Sequence, residues 1–369
     1  MLAKTTLVAA GLLTLVSAPA HAAVLPYRFD KIAEQGPGFS GLGLPALNDN
    51  GVAAFVEYRA DGSAGVYFGN HFLVQRAPVT NVGPNVVDIN NAGQIAYTDA
   101  RQVYRADPAG VTTIGLATNP VESYDEGPVI NNAGQVAYST SGAIVNNLYR
   151  GDGTAPQTIT HSTTGSIAQP RMNNAGKTAA ISRNIAGTFL IYDGQGILDN
   201  RGFGSRQFTD PDFGTSGIFT SFNAVDVGDN DRVVFAARWS NLTDAFYLWE
   251  NGTISKVAGT NGLTGVPAIN DLGVVAGLVS GNGPERIAIF EGGVEGTIIS
   301  VGWAFDGSTI TGLALSPEGF NNLNQVAFLA TLADGRTVNV ISQLPEPGAA
   351  GALVFAAAGL LARRRRLAQ

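Results

Sequence analysis

Cysteine is absent from this chain, which excludes a disulfide framework, a thiolate metal site and a cysteine nucleophile. Histidine is nearly absent too. Of three, His21 lies in a segment expected to be removed, which leaves His71 and His161, too few for a histidine metal cluster. A serine–histidine–aspartate triad would have to use one of those two without any local signature. Charged residues make up only 14% of the sequence, so few solvated helices are expected. Basic residues are scarce where they would matter for nucleic acid. Without the leader and tail described below, 17 basic face 28 acidic residues, a net charge of −11, so no nucleic-acid partner is expected. No long polar tract dilutes the 45% of hydrophobic residues, and the chain can build a sizeable core.

What the sequence does have is punctuation: 47 glycines, and a motif that recurs seven times. The segments LNDNGVAAF, INNAGQIAY, INNAGQVAY, MNNAGKTAA, VGDNDRVVF, INDLGVVAG and FNNLNQVAF place Asn48, Asn90, Asn131, Asn173, Gly228, Asn270 and Asn321 in one column. Successive steps are 42, 41, 42, 55, 42 and 51 residues, a unit of 42 with two insertions. Three residues on stand Gly51, Gly93, Gly134, Gly176, Asp231, Gly273 and Asn324, residue types that tolerate left-handed backbone, so this column predicts a tight turn. Past the turn, Ala54, Ala96, Ala137, Ala179, Val234, Ala276 and Ala327 sit in apolar triplets, the pattern of a strand covered on both faces.

The first repeat offers four short strands, at 45–47, 52–58, 65–69 and 72–75. Four strands in about 42 residues is the size of a propeller blade. The expected fold is therefore all-β, a seven-bladed β-propeller, with an open β-solenoid as the alternative. Residues 27–34 precede the first repeat, while the seventh ends near Ser342 after its third strand. The chain start is thus expected to supply the missing fourth strand and close the ring.

The two ends read as processing signals. Residues 1–22 combine Lys4, an apolar run over 7–16 and an Ala20-His21-Ala22 cleavage site, the layout of a secretory leader cut by signal peptidase. The body then spans 23–343 and a tail 344–369. In the tail, Pro345-Glu346-Pro347 precedes an uncharged apolar run at 348–362 and the cluster Arg363, Arg364, Arg365 and Arg366. As a helix the run reaches about 22 Å, short of a ~30 Å hydrocarbon core, and the arginines hold its far flank in the cytoplasm. This tail resembles the PEP-CTERM sorting signal. That resemblance implies a Gram-negative-type bacterium, an exosortase-like processing enzyme, a transient or permanent membrane anchor, and a place at the cell surface or in a biofilm matrix. The body resembles the exported NxxGxxAF tandem-repeat family, which implies architecture and location but no settled activity.

Catalytic motifs are missing: there is no HExxH, Walker loop, GxSxG elbow or EF-hand. Residues 36–41 match GxGxxG, but no helix follows and Pro37 lacks a backbone donor, so a turn is expected. Asp226, Asp229 and Asp231 form the best carboxylate cluster and are the candidate calcium ligands; otherwise no cofactor is expected. Two of them occupy turn columns, where backbone preference alone favours aspartate. The insertion at 200–222 concentrates charge and aromatics, and Arg201, Phe203, Arg206, Phe208, Asp210 and Asp212 are the candidate ligand-binding residues. The expected function is a non-catalytic surface or matrix protein that contacts polysaccharide or other surface proteins. The alternative is a carbohydrate-active propeller enzyme using paired carboxylates.

Overall fold

The structure, a computed structural model, describes residues 27–343 apart from 37, 71–72, 77–86, 100–101, 117–122, 125–126, 143–144, 164, 185–186, 200–207, 210–215, 218, 240–243, 258–259, 261–263 and 282. Within these residues every regular element is a strand. Seven antiparallel sheets follow one another along the chain as blades of a closed ring, the seven-bladed β-propeller that the repeat predicts. Blade 1 carries the pattern of all seven. Its inner strand is split into Phe39–Leu42 and Ala46–Leu47, followed outward by Ala53–Arg59, Ala64–Asn70 and Leu73–Arg76.

Turn chemistry sets where each blade begins. All seven positions of the glycine column have positive φ, from 56° at Asn324 to 81° at Gly273. In each regular repeat the preceding asparagine holds the turn as well: Asn90 Oδ1 accepts the N–H of Ala92 at 3.1 Å and of Gln94 at 2.9 Å. The alanine column then enters the second strand, and all seven of its residues are 0% exposed. A larger side chain has no room there, because neighbouring blades press on both faces.

The core lies between blades. Among the described residues it divides into seven apolar clusters, each spanning two successive blades, such as Phe246 and Phe290 between blades 5 and 6. One cluster joins the last blade to the first through Ile32, Leu47, Phe55, Ala327 and Ile341. The same junction is sealed by hydrogen bonding. Arg28–Glu34 pairs antiparallel with Thr337–Gln343 and becomes the outermost strand of blade 7. An open solenoid would leave both surfaces bare, so the alternative fold does not hold.

The two insertions leave the ring on one face. The 55-residue step lies between Gln195–Asp199, the outer strand of blade 4, and Phe219–Val227, the inner strand of blade 5. The 51-residue step carries the extra chain between Val294–Ser300 and Ser308–Phe320, the equivalent crossing from blade 6 to blade 7. Within the first insertion Phe208–Thr209 pairs with Ser216–Gly217. One boundary differs from expectation: Phe219 and Phe222, taken with the insertion at 200–222, belong to the inner strand and are 3% and 1% exposed in the core. Gly38 lies in a turn with positive φ, and the strand Phe39–Leu42 follows it where a GxGxxG motif would need a helix.

Candidate functional site in the central channel

Where the seven inner strands end, their turns converge on the ring axis. Two circuits of side-chain bonds run around this mouth, one closed and one with a single break. In the first, each asparagine donates Nδ2 to the backbone carbonyl of the equivalent residue one blade on: Asn48 to Asn90 and Asn90 to Asn131, both at 2.9 Å, then Asn131 to Asn173 and Asn173 to Gly228. Asn270 bonds Asn321, and Asn321 returns to Asn48 across 273 residues at 2.9 Å. Gly228 is the break in this circuit. It has no side chain to donate, and a Cβ there would lie 3.1 Å from the Asn270 carbonyl oxygen.

The second circuit has no break. The next residue in each turn accepts, on a side-chain oxygen, the N–H of its counterpart in the preceding blade. Asn91 accepts from Asp49, Asn132 from Asn91, Asn174 from Asn132, and Asp229 from Asn174. Asp271 then accepts from Asp229, Asn322 from Asp271, and Asp49 from Asn322. The three carboxylates are distributed among amides that donate to them, as Asn322 Nδ2 does to Asp271 at 2.6 Å and Asp49 at 3.1 Å. Burial, with Asp229 and Asp49 nearby, still raises the Asp271 carboxyl above its ordinary range.

A step deeper stand four charged residues from four blades: Asp88, Arg171, Asp226 and Glu318. Local irregularity aims two of them. The pairing of Gly165–Met172 shifts register between Ala168 and Arg171, and that of Ser308–Phe320 between Leu315 and Phe320. Each interruption contains a proline, Pro170 or Pro317, which cannot donate to the ladder, so the strand bulges and re-aims its side chains. Gly319 allows the second bulge, since a Cβ there would meet the Ala327 carbonyl oxygen at 2.5 Å. Arg171 Nε then lies 3.5 Å from Glu318 Oε1.

Asp88 and Asp226 have matching tasks at separate junctions. Asp88 accepts the N–H of Ile89 and, from blade 3, of Ile130, both at 2.7 Å; Asp226 accepts Val227 and, from blade 6, Ile269, both at 2.8 Å. Their carboxyls are nonetheless pushed well above the ordinary range, first by burial and then by the Glu318 charge, with Arg171 and the backbone donors opposing. Glu318 is raised as well, by burial, against Arg171. Three acidic groups thus share one guanidinium in a low-dielectric channel.

The cavity lined by both circuits, with Asp88 and Glu318, holds about 120 Å³. Roughly four waters fit at ~30 Å³ each, whereas small-molecule sites run to about 300 Å³ or more. A hollow of about 380 Å³ lies between blades 3 and 4 against Arg150, Lys177 and Asp193. Its cations are already engaged, Arg150 with Gly176 and Gln157, and Lys177 with Asp231.

The candidate calcium ligands diverge. Asp226 braces the channel wall, Asp229 belongs to the second circuit, and Asp231 accepts from Tyr192 at 2.7 Å and pairs with Lys177. Among the described residues no group of three histidine, cysteine, aspartate or glutamate side chains is placed to hold a metal. Arg201, Phe203, Arg206, Asp210 and Asp212 lie outside the described residues, and Phe208 lies in the short paired strand already noted. His71 also lies outside them, while His161 is exposed on the outer strand of blade 3. Sequence reasoning named Asp229 of the second-circuit column and Asp226 of the charged quartet, but only as candidate metal ligands, and it missed the other members of both. The column carried a signal, seven asparagines or aspartates in register; Asp88, Arg171 and Glu318 carried none, being scattered over three repeats.

The fold and this axial site define a seven-bladed propeller. Comparison with known proteins supports the fold at that level. The chain is similar to the β-propeller domain of the Trilobed protease from Pyrococcus furiosus, with a TM-score of 0.55 and 15% identity over 82% of this chain and 95% of that one. That domain is described as having an open velcro topology, whereas here the first strand closes the last sheet. The chain is also similar to a catalytically inactive variant of virginiamycin B lyase from Staphylococcus aureus, solved with quinupristin. The TM-score there is 0.50, at 11% identity over 85% and 99% of the two chains. No protein-family model and no curated protein sequence matches the chain.

Proposed function

We propose that this chain is a non-catalytic ring displayed at a bacterial cell surface or in the extracellular matrix. On this reading signal peptidase removes the leader, the tail with Pro345, Glu346, Pro347 and Arg363 to Arg366 is handled by an exosortase-like enzyme, and the ring contacts polysaccharide or other surface proteins. The observation that carries the non-catalytic part is the state of the channel. Both oxygens of Asp88 and of Asp226 are held by backbone N–H groups, and a volume of about 120 Å³ is small beside ordinary ligand sites. The binding part rests on composition: Phe203, Phe208 and Phe213 offer flat apolar faces and Arg201, Arg206, Asp210 and Asp212 offer hydrogen bonds, a mixture suited to sugar rings.

The test replaces Phe203, Arg206 and Phe208 together by alanine and measures matrix retention and thermal stability. Reduced retention at unchanged melting temperature is expected; retention equal to the parent's rejects the loop as the contact. One observation favours the carbohydrate-active alternative, namely that Asp88, Asp226 and Glu318 share a channel and are all shifted toward the protonated form. Incubating the body with matrix polysaccharide and measuring new reducing ends separates the two readings. No release is expected, and release abolished by Glu318→Gln would establish the enzyme.

A further inference from the structure

The ring has two unlike faces, and the chain distributes its ends and its insertions between them. Arg28 pairs with Gln343, so the first and last described strands enter and leave side by side. Gln343 in turn contacts Gln325, next to the Asn321 turn. Both ends therefore emerge on the face that carries the seven turns, six of them with the column asparagine. The connections from Asp199 to Phe219 and from Ser300 to Ser308, which carry the insertions, join outer strands to inner strands and leave from the opposite face.

Exposed apolar side chains follow the same division. Leu272 and Leu323, 65% and 53% exposed, are the tips of the asparagine turns in blades 6 and 7; Val294, at 69%, opens the outer strand of blade 6 on that face. They lie on blade 7, which the chain leaves at Gln343, and on its neighbour blade 6. Among the described residues Trp303, at 47%, is the large exposed apolar side chain of the opposite face, beside the second insertion.

We propose that the asparagine-turn face lies against the lipid bilayer while the tail is attached, with both insertions turned outward. This rests on the membrane-tail reading above. Only residues 344–347 separate Gln343 from the apolar run at 348–362, a reach of at most about 18 Å. The ring is thicker than that: a seven-residue strand such as Thr337–Gln343 runs about 23 Å from face to face. The tether is too short to lay the opposite face on lipid. The turn face offers Leu272, Val294 and Leu323 to the lipid. A leader still attached at the chain start would pull the same face toward the membrane.

Because the chain has no cysteine, single cysteines report each surface without background. Leu272→Cys, Leu323→Cys, Lys31→Cys and Trp303→Cys variants of the full chain are labelled with an environment-sensitive dye. They are then bound to vesicles of phosphatidylethanolamine and phosphatidylglycerol. Labels at 272 and 323 should be quenched several-fold more by a lipid-borne quencher than by iodide, and labels at 31 and 303 the reverse. A chain that binds the vesicles with 272 and 323 as open to iodide as 303 overturns the orientation and leaves the tail reading standing. A chain that does not bind the vesicles overturns the tail reading, and the orientation with it.

Discussion

In six of the seven repeats one asparagine performs two jobs. Its oxygen folds its own turn, and its amide nitrogen fastens the next blade. For Asn90 the bonds are to Ala92, Gln94 and the Asn131 carbonyl, and the residue is 3% exposed. Removing it leaves buried backbone groups without partners, at a cost of about 1–3 kcal/mol for each such group. Asn90→Ala should therefore lower unfolding free energy by about 2 kcal/mol or more, read as a lower urea midpoint. Asn50→Ala is the control. Its amide also reaches the next blade, at Asn91, but from an exposed tip, and the change should stay within about 0.5 kcal/mol. Equal effects at the two positions would show that the circuit contributes nothing beyond the turn.

At the level of elements, the strand Arg28–Glu34 is the piece on which closure depends. It covers the edge of Thr337–Gln343, places Ile32 in the cluster between blades 7 and 1, and sets Phe29 edge-on to Phe305 and Phe328. Burial of Ile32 and part of Phe29 is worth roughly 3 kcal/mol, and the bared sheet edge adds to the loss. Deleting residues 27–35 should lower the melting temperature of the whole body in one cooperative transition, followed by calorimetry. A body that melts unchanged without them would mean the ring is held by its other six junctions alone. This strand was legible before any fold was known, because the seventh repeat was one strand short and the chain start was one strand in excess. The insertion boundary was less legible: Phe219 and Phe222 resemble binding aromatics in composition, and only their place between blades 4 and 5 makes them core.

At the scale of the whole molecule the channel couples blades that have no sequence contact. Asp88, Arg171, Asp226 and Glu318 come from blades 2, 4, 5 and 7 and share one electrostatic environment. The pH dependence follows from the direction of the shifts. All three carboxyls are raised in the folded state, so the fold binds more protons than the unfolded chain over the interval between the two sets of values. Their stabilisation is fully present below the unfolded carboxylate range and is lost as pH rises through the higher folded values. Stability should accordingly fall from mildly acidic toward neutral pH and above. Burial raises both aspartates first and the Glu318 charge second; Glu318→Gln removes the second cause, and it should flatten this slope in part while raising the melting temperature at the alkaline end. Thermal melts across pH decide the matter: a parent and variant with parallel profiles would mean that the quartet does not titrate as one group.

Repetition carried most of what the amino-acid sequence determined by itself. Seven turns, seven small residues past them and a displaced fourth strand are local regularities, each set by backbone sterics or by two-sided packing, and local physics repeats wherever the residues do. The proposed leader and tail rest on runs of composition in the same way. What only the tertiary structure decided is everything that closure brings together. Asn321 meets Asn48 across 273 residues, three acids from separate repeats meet at one axis, and both insertions fall on the face away from the chain ends. No pattern along the chain encodes these distances, because the angle from one blade to the next sets them, and that angle exists only once all seven interfaces are packed.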